Sequence, residues 1–105
     1  MINFGIMSIL TKHKKEIERM CEQYQVRHLY AFGSVLTSDF KNDSDIDFLV
    51  RFDEIKHHSY FSNFFDFKFA LGDLLERDID LIEEQALKNP YLLKSFNQSK
   101  SLVYG

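Results

Sequence analysis

The most constraining feature of this chain is a short alternating segment that begins with two carboxylates. From Asp45 to Phe52, Ile46, Phe48 and Val50 fall on one side, and Asp45, Asp47 and Leu49 on the other. That pattern predicts a β-strand with one buried face and a polar patch at its start. Residues two apart on a strand share a face, so the Asp45 and Asp47 Cα atoms should lie about 6.5 Å apart. Two ionised carboxylates at that spacing repel, which suits a bound hard cation, a shared proton or exposure to water. Residues 33–54 carry six acidic side chains against two basic ones, so the acidity of the chain is concentrated around this strand.

The preceding apolar run, Val26 to Phe32, is β-branched and aromatic and also reads as a strand. It ends at Gly33-Ser34. A glycine there permits close backbone approach to a ligand, and the Ser34 hydroxyl with the following amides can donate to phosphate oxygens. Mg²⁺ favours one or two carboxylates completed by substrate phosphates and water. A phosphate cradle beside a pair of aspartates therefore suits displacement at the phosphorus of a nucleoside triphosphate. A third carboxylate is expected from Asp80, which lies between Ile79 and Leu81 and so faces away from the core. Asp78 shares its face and is the rival.

The remaining elements follow from periodicity. Ser8 is placed to cap a helix over 8–25, with Ile9, Leu10, His13, Ile17, Met20, Cys21 and Tyr24 at helical spacing. Val35-Leu36 begins a helical turn and Ser38 to Ser44 reads as a polar loop. A second helix is expected over 57–76, a strand over 77–82, one helical turn over 83–87, a helix over 90–98 capped by Asn89, and a closing strand over 101–104. The order predicts an α/β (α+β) domain with a mixed β-sheet flanked by helices. At 105 residues, with eleven Phe, five Tyr and only one Pro, the chain suits a single domain over 1–105 and excludes a disordered tail.

Several other readings are weaker. The loop 39–47 fails as a calcium loop, because Ser44 replaces the turn glycine and Val50 the bidentate Glu. His57-His58 are adjacent and cannot share a helix face. His13 and His28 read as structural, and Cys21 as a buried, inert thiol. Arg51 either approaches a bound triphosphate or offsets Asp53 and Glu54. The aromatic run from Tyr60 to Phe69 exceeds one helix face. It makes one stripe at 61, 64, 65, 68 and 72 and another at 60, 67, 71 and 74. It belongs either to a deeply buried helix or to a protein-binding patch. Thirteen basic against sixteen acidic residues argue against direct DNA binding. One cysteine, basic residues after rather than before the apolar Met1 to Leu10, and no stretch of ~18 apolar residues point to the cytoplasm and to no membrane contact.

The spacing Gly33-Ser34-x10-Asp45-x-Asp47 resembles the signature of the DNA polymerase β-like nucleotidyltransferase superfamily. "LYAFGS", "SDIDFLV" and "DIDLIEEQALKNPYL" look like its minimal nucleotidyltransferase (MNT) branch, from about Ser8 to Tyr104. The resemblance implies a polymerase β-like palm. Gly33 and Ser34 would bind the nucleotide, and Asp45 and Asp47 would bind Mg²⁺ and act in catalysis with Asp80, the third acid and third metal ligand. It also implies an antitoxin that transfers AMP from ATP to a tyrosine hydroxyl of a HEPN-type toxin, with which it forms a hetero-oligomer. No second domain is recognisable, which argues against antibiotic, tRNA or DNA acceptors. The alternatives are a non-catalytic antitoxin that neutralises its partner by complex formation, and a nucleotidyltransferase acting on a small molecule or RNA end.

Overall fold

A computed structural model describes residues 9–32, 46–54, 59–91, 93–94 and 100–105. Residues 9–12 form a helical turn that breaks at His13. Helix α1 then runs Lys14–Gln23 and buries Ile17 and Cys21, one turn apart on its inner face. The helix stops two residues before the expected position 25. Tyr24 caps it, and Gln25 takes a left-handed conformation (φ 59°) that turns the chain into the sheet. The Gln25 carbonyl then accepts the Asp53 amide at 2.8 Å, which closes this end of the sheet. The proposed cap Ser8 lies outside the described residues.

Strand β1 is Val26–Phe32, as the apolar run predicts. Strand β2 is Ile46–Phe52, helix α2 is Tyr60–Leu75, β3 is Ile79–Glu83 and β4 is Ser101–Tyr104. The order across the sheet is β3-β2-β1-β4. β2 and β4 run antiparallel to β1, whereas β3 runs parallel to β2, as the α2 crossover between them requires. The sheet is therefore mixed, in agreement with the expected class.

One face of the sheet packs against the helices. Leu29, Ala31, Ile46, Phe48 and Val50 meet Ile17 and Cys21 of α1 and Phe67, Leu71 and Leu75 of α2, all buried. Phe52 anchors an aromatic cluster with edge contacts to Tyr60, Phe64 and Phe67. Asn63 ties α2 to the end of α1 by donating to the Tyr24 carbonyl at 2.7 Å.

Three expectations need correction. β3 begins at Ile79 rather than Arg77, because the Arg77 amide still bonds back to the Gly72 carbonyl and closes the helix. Leu49 does not sit on an open polar face. It is 1% exposed, held in register between Tyr30 and Ile82, and the chain after β3 folds back over that side of β2. Helix α2 is not deeply buried all round. Phe67, Leu71 and Leu75 enter the core at i, i+4 and i+8, while Phe61, Phe65 and Phe69 remain exposed.

The turn over 84–86 is a 3-10 helix, shorter than expected. The expected helix at 90–98 is helical at 90–91 and 93–94, and Asn89 caps it, accepting the Tyr91 amide through its side chain at 2.9 Å. Residues 95–99, the turn at 35–36 and the loop at 38–44 lie outside the described residues. Among those described, no helix is long and apolar enough to cross a membrane.

Candidate active site

Strand alternation places the acidic residues. Ile46 and Phe48 on β2 are fully buried toward the helices, so Asp47 between them must point to the opposite face. On β3, Ile79 and Leu81 are buried, and Asp80 is turned the same way as Asp47. The parallel ladder aligns Asp47 with Asp80 directly. Adjacent strands lie about 4.8 Å apart, so two carboxylates from different segments share one small patch. Asp47 is half-buried and Asp80 exposed.

On its other side Asp47 is in register with Phe32, the last residue of β1. Phe32, Asp47 and Asp80 thus form one row across three strands. Gly33 and Ser34 follow Phe32 in sequence, and Asp45 precedes β2. All three lie outside the described residues, as do His57 and His58. Asp78 is exposed and sits before β3, where its carbonyl accepts the Ile46 amide at 3.0 Å. It anchors the strand entry by its backbone, whereas Asp80 stands within the ladder.

The donor set suits a hard cation. Asp47 and Asp80 offer only oxygen, and like charges in register favour a divalent ion between them. Among the described residues no three His, Cys, Asp or Glu side chains converge as a metal cluster. The described part of the site therefore supplies a pair, and Mg²⁺ commonly uses one or two carboxylates with phosphate and water.

The other singled-out residues take different roles. Arg51 faces neither Asp53 nor Glu54. Its guanidinium donates to Glu84 at 3.5 Å, and Asp53 pairs with Arg27 at 2.9 Å instead. The register of β1 on β2 decides this, and the sequence alone carries no signal for it. Cys21 is fully buried, and burial, with smaller contributions from Glu18 and Glu22, pushes its thiol up to about 12. Such a thiol is almost entirely protonated at neutral pH and inert. His28 is partly buried against Tyr30, with ring centroids 6.0 Å apart, and His13 is partly buried on the helix. Burial also raises Glu83, whose Oε1 has no hydrogen-bond partner. It stands on the core-facing side of β3, in register with Val50 and away from the Asp pair.

Residues 15–105 match the family described as "Polymerase beta, Nucleotidyltransferase". The chain belongs to this family. The chain of this polymerase β nucleotidyltransferase is 38% identical over 99 residues to a Methanocaldococcus jannaschii protein provisionally named a protein adenylyltransferase. That match covers 94% of this chain and 93% of the relative. It is 39% identical over 84 residues to the protein adenylyltransferase MntA of Thermococcus cleftensis, covering 80% of this chain and 79% of that one. Among solved structures it is similar to one provisionally described as a minimal nucleotidyltransferase. The TM-score is 0.75 at 26% identity, covering 90% of this chain and 92% of the other. It shares its fold with a chain from the complex of a tri-AMPylated Shewanella oneidensis HEPN toxin with an MNT antitoxin. There the TM-score is 0.62 at 17% identity, covering 91% and 72%. The resemblance read from Gly33-Ser34-x10-Asp45-x-Asp47 is thus borne out for family and fold, and the chemistry of that family is nucleotidyl transfer.

Proposed function

We propose that this nucleotidyltransferase is Mg²⁺-dependent and transfers AMP from ATP to a tyrosine hydroxyl of a HEPN-type toxin, acting in the cytoplasm as that toxin's antitoxin. The observation that carries the reading is the in-register pair Asp47 and Asp80, brought together from separate segments on the face opposite the core. The names of the relatives and the AMPylated toxin complex support the choice of AMP and of a protein acceptor.

Gly33 and Ser34 bind the triphosphate through backbone amides and the Ser34 hydroxyl. Asp45 and Asp47 would hold Mg²⁺, with Asp80 as third ligand. When bound, the ion supplies charge neutralisation on the phosphates and polarisation of the α-phosphorus. Asp80 is exposed at the rim of the patch and accepts the proton of the attacking hydroxyl. The hydroxyl oxygen bonds to the α-phosphorus, the bond to the bridging oxygen breaks, and pyrophosphate leaves with its electron pair.

The test is incubation with α-labelled ATP, Mg²⁺ and the product of the neighbouring gene. Label is expected on a tyrosine of that protein. Absence of label with active controls overturns the reading. The exposed Phe61, Phe65 and Phe69 favour one second reading, in which the chain neutralises its partner by covering it. A chain with Asp47→Asn that still protects cells from the toxin would favour covering over chemistry.

A further inference from the structure

The face that carries Asp47 and Asp80 also bears a second, oppositely charged feature. Four residues further along β2, Arg51 stands on the same face as Asp47, about 13 Å away along the strand. There β1, β2 and the returning chain line an open, cleft-like cavity of about 450 Å³ bordered by Arg27, His28, Tyr30, Arg51, Glu84 and Lys100. The register shift between Val26 and His28 explains why the consecutive residues Arg27 and His28 both border it.

Its charges do not balance internally. Glu84 is the one carboxylate on the wall among the described residues, and two cations share it loosely. Arg51 lies 3.5 Å from one oxygen and Lys100 3.9 Å from the other. The Lys100 ammonium also sits 4.0 Å over the Tyr30 ring. Arg27 is satisfied from outside by Asp53. The His28 Nδ1 is buried without a hydrogen-bond partner. Guanidinium and ammonium together offer up to eight N–H donors, far more than one carboxylate consumes. The excess suits a phosphate, and Arg in particular suits its oxygens. Leu87 and Leu93 add apolar wall, and the volume is of ligand-pocket size.

We propose that this cavity is a second nucleotide subsite, which takes the 5′-phosphate of an adenylate unit between Arg51 and Lys100. The identity of the nucleotide rests on the adenylyl-transfer reading above, and the phosphate chemistry rests on the cavity alone. The adenylate comes either from solution, as free AMP, or from an AMP already joined to the acceptor. In the second case the subsite holds the growing end while Asp47 and Asp80 act on the next transfer.

The test is calorimetric titration of the full chain in EDTA, without ATP, so that it does not depend on catalysis. AMP and adenosine are the two probes. AMP is expected to bind at one site, and adenosine at least tenfold more weakly. Arg51→Gln with Lys100→Gln should weaken AMP at least tenfold. Glu84→Gln should do the opposite and tighten AMP severalfold, because it frees both cations. That variant guards against misreading a double substitution that merely unfolds. Absence of AMP binding overturns the proposal, as do equal binding of adenosine and weaker binding in Glu84→Gln. With an accepting partner present, the double variant separates the two sources. A greater loss in second and later additions than in the first identifies the acceptor-borne adenylate, no loss at any addition identifies free AMP, and an equal loss at every addition overturns the proposal.

Discussion

Asp47 of β2 stands directly across from Asp80 of β3, and each is bracketed on its own strand by buried apolar side chains. The bracketing fixes which way both carboxylates face, and the parallel register fixes their separation. Asp47→Asn is expected to lower nucleotidyl transfer by at least a hundredfold, and Asp80→Asn by a similar factor. The far-UV circular dichroism should not change. Asp80 is exposed, so its neutral variant should keep the melting temperature within about 2 °C of the parent.

Phe67 and Phe61 lie on the same helix and should behave in opposite ways. Phe67 is fully buried between Tyr24 and Phe52, and Phe61 is 75% exposed. Phe67→Ala should cost about 3–5 kcal/mol in urea unfolding. Phe61→Ala should stay within about 0.5 kcal/mol.

The Cys21 thiol is raised from 9.0 to about 12 by burial and, less strongly, by Glu18 and Glu22. In the folded chain it holds its proton more tightly than in the unfolded chain. Its contribution to stability is therefore whole below pH 9 and is lost as the pH rises from 9 through 12. Tyr60, raised from 10.0 to about 12 by burial and by Glu83, acts in the same direction. Urea midpoints should fall between pH 9 and 11, and a thiol reagent at pH 8 should label Cys21 only after unfolding.

Glu76 closes α2 in the left-handed region, at φ 54° and ψ 43°. A side chain costs energy there that glycine does not. Glu76→Gly should therefore stabilise the fold by about 0.5–1 kcal/mol, seen as a higher denaturant midpoint with an unchanged slope.

Local chemistry made much of this fold readable. Val26–Phe32 and Ser101–Tyr104 keep the bounds that their β-branched and aromatic content predicts. The alternation Ile79-Asp80-Leu81 was enough to turn Asp80 away from the core. Asp78, two residues earlier, has the same parity but falls before the ladder begins, which only the pairing with Ile46 reveals. Long-range pairing hid the rest. Leu49 reads as a residue of the polar face until the chain after β3 is seen to cover it. The partners of Arg51 and Asp53 depend on how β1 slides along β2. The partition of the phenylalanines depends on which stripe of α2 meets Phe52. Gly33, Ser34 and Asp45 still rest on the sequence pattern and on family membership.

The position of β3 in the sheet has a consequence for how the protein fails on heating. Among the described residues β3 is an outer strand, joined to its neighbour along one side only. Strands held in this way detach at a smaller free-energy cost than the core they border. Asp80 therefore rides on an outer rail of the sheet, while Asp47 is fixed in an inner one. Warming should silence the chemistry while the aromatic core around Phe52 and Phe67 is still intact.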